Sequence, residues 1–173
     1  MRKWTFKARD PKLAVRIAKD VIKQLDLGKF IAENGTYLYL GIGESYGWGP
    51  QDKSFQDKLK EVKNCHVCAL GGLFCSYVNL KNKVTVGDLH NGSTLDKNLR
   101  EKLKDVFDES TLRVIEACFE GWIAYPNISD NSQAVNYSNY LSGIVDPTKR
   151  MKILMRNLIK NKGTFIVPKE YRE

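Results

Sequence analysis

No run in the sequence approaches the ~18 consecutive apolar residues of a membrane-spanning helix, which excludes an integral helical membrane protein. The segment Met1-Arg2-Lys3-Trp4-Thr5-Phe6-Lys7 lacks the apolar stretch of a secretory signal, so a cytoplasmic location is expected. No unit repeats along the chain, and neither a collagen nor a coiled-coil composition is present. Two nucleotide-binding fingerprints are missing as well. There is no Gly-x-x-x-x-Gly-Lys-Ser/Thr loop, and Gly41-x-Gly43-x-x-x-Gly47 has the wrong spacing for a dinucleotide turn. Histidine is scarce, with His66 and His90 the only two.

What is present is enough for a core. The chain has 173 residues, 42% of them apolar, which excludes wholesale disorder and fits one domain over residues 1–173. Cys65, Cys68, Cys75 and Cys118 make an even count, but a chain of this length needs no disulfide staples. Cys65-His66-Val67-Cys68 has metal-like spacing at one end only. Reduced, buried, metal-free thiols are therefore expected, with no cofactor.

The charge is strongly partitioned. Residues 1–29 hold nine Lys/Arg and three Asp, and residues 147–162 hold six Lys/Arg and no acid. Each segment carries +6, while residues 30–146 carry −4, so two segments supply the whole +8 excess. If they pack together they make a basic surface suited to phosphate-bearing partners.

Apolar spacing then sketches the fold. Asp10 and Pro11 open a helix over 10–26, with Ala14, Ile17, Ala18, Val21, Ile22 and Leu25 on one face and Gly28 as its stop. Asn34-Gly35 between β-prone flanks predicts a hairpin or tight turn. Residues 41–50 are a glycine-rich loop, and 52–63 a short exposed helix or loop. Residues 65–78, apolar all round, predict a buried central helix whose Gly71-Gly72 admits another backbone. Lys83–Val86 is a short strand candidate. Ser93 and Asp96 resemble a cap before Leu95, Leu99, Leu103 and Val106. A helix near 109–122 carries Leu112, Ile115, Phe119 and Trp122 on one face. The Asn- and Ser-rich 126–143 reads as a long loop or irregular arm. Asp146 and Pro147 start the last helix, Met151, Leu154, Met155 and Leu158 line it, Gly163 ends it, and Thr164–Pro168 follows as a strand. The expected fold is mainly α, of the α+β kind. About five helices surround the buried central one, with a small β-hairpin or short strands.

Candidate sites follow from chemistry. Tyr46 and Trp48 in the glycine loop offer faces on which a base can stack. Arg16 and Lys19 of the first helix, with Lys149, Arg150, Lys152 and Arg156 of the last, offer charge to phosphates; the arginines do so with a bidentate fork. Glu116 and Glu120, one turn apart beside Arg113, are either a carboxylate pair for acid–base chemistry or solvated side chains on an outer face. His66 or His90 with a cysteine would make a nucleophilic pair only if they meet in space.

Asn64-Cys65-His66-Val67-Cys68-Ala69-Leu70-Gly71-Gly72-Leu73 resembles the Cys-Ala-Leu-Gly-Ala motif of a family of small uncharacterised bacterial and bacteriophage proteins. Asp146-Pro147-Thr148-Lys149-Arg150-Met151 through Asn157, with Gly163-Thr164-Phe165, resembles the ending of such phage proteins. The likeness covers about a third of the chain, with Gly72 where the family often has alanine and a longer segment before the final helix. It implies a cytosolic, mainly helical domain, in the host cytoplasm if phage-encoded, and brings no catalytic residues. Phage origin would fit an anti-defence accessory protein acting on host machinery or signals.

The first expectation for function is a non-enzymatic protein that binds or sequesters a small anionic, nucleotide-like ligand. A nucleic-acid-binding module and a Cys/His- or Glu-dependent enzyme remain the alternatives. No membrane partner is expected, and a homo-oligomer stays open.

Overall fold

The computed structural model describes residues 4–40, 54–81, 95–121 and 132–172. The described elements run β1 (Thr5–Lys7), α1 (Pro11–Asp26), β2 (Phe30–Ala32), β3 (Leu38–Tyr39), α2 (Phe55–Glu61), β4 (Cys65–Val67) and α3 (Ala69–Lys81). They continue with α4 (Leu95–Leu103), α5 (Glu109–Glu120), α6 (Ser132–Ser142), α7 (Pro147–Lys160), β5 (Thr164–Ile166) and a 3-10 turn at Lys169–Tyr171. The fold is mainly helical with small sheets, as the composition and periodicity imply.

The two outer helices form as their sequences dictate. The Asp10 carboxylate accepts from the Leu13 backbone N–H at 2.9 Å, and that of Asp146 from Thr148 N–H at 2.8 Å. A proline follows each cap, where no helical hydrogen bond is lost. Gly28 (φ 67°) and Gly163 (φ 85°) take the left-handed backbone just beyond the two helices. Leu13, Ala14, Ile17, Ala18, Val21 and Leu25 of α1 are buried, as are Met151, Leu154, Met155 and Leu158 of α7.

α3 is the centre. Every residue from Ala69 to Val78 is buried, and α1, α2, α4 and α5 all pack against it. The expected helix over 65–78 begins later, however. Residues 65–67 are strand β4, with Cys65 and Val67 buried and His66 turned outward. This period-two alternation suits a strand, and an apolar run conceals it.

β4 also overturns the hairpin. β2 and β3 do not pair with each other. β4 lies between them, parallel to β2 (Phe30↔Cys65) and antiparallel to β3 (Leu38↔Val67). Asn34-Gly35 does turn the chain, with Gly35 at φ 75°. The turn is tied to the end of α5 instead: Glu120 accepts from Gly35 N–H at 2.8 Å and the Phe119 carbonyl from Asn34 Nδ2 at 3.4 Å. β1 and β5 pair antiparallel (Phe6↔Phe165), so the terminal strand forms as expected.

One helix exceeds the expected set, and another settles an alternative. The 52–63 stretch takes the helical of its two expected forms as α2, which buries Phe55 and Leu59 rather than lying wholly exposed. α6 replaces the C-terminal part of the expected irregular arm. Ala134, Tyr137, Ser138 and Leu141 are its buried stripe, and Ser138 Oγ donates to the Ala117 carbonyl at 2.6 Å. A buried serine with a satisfied hydroxyl serves as core here. The glycine loop 41–50, the 83–86 strand, Ser93, Trp122 and residues 126–131 lie outside the described residues.

Candidate functional site

The two basic segments do meet. α1 and α7 pack against each other and run antiparallel, as two contacts establish. The Ala8 N–H donates to the Gly163 carbonyl at 3.0 Å, and Lys152 Nζ reaches Asp26 Oδ1 at 2.6 Å. The start of α1 thus adjoins the end of α7, and the end of α1 adjoins the first turns of α7.

Helical geometry fixes what faces out. Lys12, Arg16, Lys19 and Lys23 recur at i, i+4, i+7 and i+11, opposite the buried stripe of α1, and all four are exposed. On α7 the same spacing gives Lys149, Ile153, Arg156 and Lys160, of which the three charged residues are exposed. The two helices share one core side, so both rows face solvent on the same side of the molecule, with axes roughly 8–10 Å apart. No carboxylate interrupts either row. None of these seven bases has an ion-pair partner among the described residues. Arg16, Lys19, Lys149 and Arg156 therefore belong to one surface.

The other two basic candidates are committed elsewhere. Lys152 pairs with Asp26 on the seam between the helices. Arg150 is buried at 5% exposure, donating from Nη1 to the Phe119 carbonyl and from Nη2 to the Ile144 carbonyl at 2.8 Å, over the Phe119 ring. Burial lowers its pKa, and Glu120 opposes that shift. A cation on the Phe119 carbonyl, in the last turn of α5, satisfies an orphan acceptor and complements the helix dipole. Arg150 is built into the fold as a helix cap.

Beside the α7 row lies a groove of about 320 Å³, lined by Tyr137, Ile153, Arg156, Asn157, Lys160, Asn161, Ile166 and Pro168. Asn157 fixes its floor. The side chain donates to the Ile166 carbonyl at 2.7 Å and accepts from Ile166 N–H at 2.9 Å, in the manner of a neighbouring strand. Tyr137 leads from the groove into a cluster with Tyr140 and Tyr171. Tyr140 and Tyr171 stack at 4.8 Å between centroids, 28° apart, and Tyr137 lies 11° from the plane of Tyr140. Tyr140 remains 49% exposed. These tyrosines and Lys160 were not among the sequence candidates. The i, i+3 spacing of Tyr137 and Tyr140 was the available signal, masked by the polar residues around it.

A second cleft, of about 380 Å³, is lined by Gln24, Lys29, Gln56, Lys60 and Asn79 among others. Its polar groups are largely committed to partners within the chain. Asp20 accepts from Gln24 at 3.0 Å, Gln56 donates to the Asn79 carbonyl at 2.8 Å, and Lys60 pairs with Asp57 at 3.0 Å. Such a cleft presents little free positive charge.

The catalytic candidates separate. Cys65 and His66 point to opposite faces of β4, and His66 Nδ1 meets Glu33 Oε2 at 2.8 Å. All four cysteines are free and buried, with Cys68 pushed up to about 12 and Cys75 and Cys118 also raised, burial being the first cause in each case. Among the described residues no group of three or more His, Cys, Asp or Glu could hold a metal ion.

Glu116 is not solvated; it is 2% exposed and accepts from the Tyr37 hydroxyl and from Arg100 Nη2. Burial alone would lower the Arg100 pKa, but Glu116 and Tyr37 outweigh it and raise it. Arg113 pairs with Glu109 at 3.0 Å rather than with Glu116 or Glu120. Tyr46, Trp48 and His90 lie outside the described residues.

No protein-family model, curated protein or solved structure matches this chain. No described helix is long and apolar enough to cross a membrane.

Proposed function

We propose that this chain is a non-enzymatic binding protein for nucleotide phosphates, with the α1–α7 face as its contact surface. The observation that supports it is the side-by-side placement of two basic rows with no carboxylate within either. Like charges with no ion-pair partner among the described residues, held in adjacent rows, repel one another, and an anion that bridges them relieves the repulsion. The groove beside Arg156 and Lys160 gives a small nucleotide one defined place, while the full rows suit a longer phosphate chain. The chemistry shared by both is phosphate recognition by exposed arginine and lysine.

Calorimetry and fluorescence polarisation against mono-, di- and cyclic nucleotides and labelled oligonucleotides, at about 50 mM salt, test this reading. Binding that weakens as salt rises is expected, and Arg156→Glu with Lys160→Glu lowers affinity at least roughly tenfold. Failure of every panel member to bind, or equal binding by the charge-reversed variant, refutes it. Recovery of a chemically altered ligand would instead make the protein an enzyme.

A further inference from the structure

We infer that the ligand of this face is single-stranded nucleic acid, and that Tyr140 and Tyr171 form its base-stacking platform. The inference rests on the phosphate-binding reading above and names the substrate class.

Three observations carry it. The first is extent. The α1 row from Lys12 to Lys23 covers eleven helical steps, roughly 16 Å, and the α7 row from Lys149 to Lys160 covers the same length beside it. A mononucleotide brings its phosphates to one point and leaves most of those charges unanswered. A strand with a phosphate at every residue follows a row.

The second is the aromatic cluster. Tyr140 stacks on Tyr171, 28° apart, and lies 11° from the plane of Tyr137, while Tyr137 and Tyr171 are tilted by 33° and none of the three pairs is edge-to-face. Tyr137 is the buried anchor, at 3% exposure, whereas Tyr140 keeps half its surface in water. An exposed ring held parallel to two others is oriented in advance, so a base stacking on it orders little new structure.

The third is continuity. Tyr137 and the cations Arg156 and Lys160 line one groove, and Tyr137 in turn contacts Tyr140 and Tyr171, so the buried ring joins the charge to the stacking surface. A cationic track combined with aromatic faces is the general solution for single strands, whose unpaired bases each present a π face. Paired bases in a duplex are already stacked on their neighbours and present only their edges. The tyrosines therefore contribute to binding a single strand and nothing to binding a duplex.

The test uses the full chain with labelled dT20, rU20 and a 20-base-pair duplex as probes. The proteins are wild type, Tyr140→Ala, Tyr140→Phe, Tyr171→Ala and the Arg156→Glu/Lys160→Glu double variant. Thermal melts confirm that each is folded, and the half-exposed Tyr140 is the position least exposed to loss of fold. The expected result is tighter binding of single strands than of duplex. Tyr140→Ala should weaken single-strand binding at least about fivefold, Tyr140→Phe should preserve it, and duplex affinity should not move. Equal affinity for both forms, or single-strand binding indifferent to Tyr140→Ala and Tyr171→Ala while the double variant still abolishes it, overturns the stacking platform alone. Absence of binding by the wild-type chain, or indifference to the double variant, overturns the phosphate surface and this inference with it.

Discussion

A methyl group built on Gly71 would lie 1.6 Å from the Tyr37 carbonyl oxygen and 2.8 Å from its carbon, both main-chain atoms that cannot swing aside. The next position differs. At Gly72 the nearest atoms are Met151 Sδ at 3.4 Å and Val21 Cγ1 at 3.6 Å, an ordinary contact. Gly71→Ala should therefore cost about 3 kcal/mol in urea denaturation by displacing the segment before β3 from α3. Gly72→Ala should be neutral or stabilising by up to about 1 kcal/mol, because alanine is the better helix former. Equal stabilities for the two variants would refute the close approach. The glycine pair in the sequence predicts an approaching backbone; which glycine receives it is decided by a segment some thirty residues upstream.

Glu120 gives a residue-scale prediction in pH. Burial raises its pKa, with Glu116 adding to the shift and the Gly35 N–H and Arg150 opposing it. The folded state thus holds the proton more tightly than the unfolded chain. Between the unfolded and folded pKa values the native state binds more protons, so stability falls as pH rises through that window. Glu120→Gln keeps an acceptor for Gly35 and carries no charge. Its stability at pH 7 should match or exceed wild type, and the decline in stability above about pH 4.5 should be reduced. A decline of unchanged size in melts taken from pH 4 to 7 would assign that dependence to another group.

At the scale of elements, legibility followed the strength of local signals. α1 and α7 carry a cap, a proline, a full apolar stripe and a terminal glycine, and both formed where these place them. β4 and α6 are not legible in their own residues because the deciding information lies outside them. Cys65-His66-Val67 is a strand because β2 and β3 each present it an unpaired edge; an alternation over three residues is too short to read inside an apolar run. α6 is a helix because α5 offers a surface for Ala134, Tyr137 and Leu141, and an acceptor for Ser138. Glu116 was illegible for a similar reason. Its helix position suggests an outer face, but Tyr37 and Arg100 arrive from distant segments to bury it.

Over the whole molecule, the partition of charge into two segments can be read from the sequence, whereas their adjacency is a property of the fold. Two antiparallel rows of seven exposed bases carry a cost of their own, since neighbouring like charges across the α1–α7 seam repel. The Lys152–Asp26 pair, at 2.6 Å, is an attraction along that seam. Exposed charges at these separations are screened within a Debye length of about 10 Å at 0.1 M salt. The melting temperature should accordingly rise between about 20 and 200 mM sodium chloride in the absence of ligand. Arg16→Glu removes one cation from the middle of the α1 row and sets a carboxylate within one turn of Lys12 and Lys19. That variant should melt a degree or two higher than wild type at low salt, on the order expected for exposed pairs, with a flatter salt dependence. Differential scanning calorimetry across the salt series decides it. A melting temperature that falls with salt would mean attraction dominates the surface, and the two rows would then be too far apart to act on one ligand.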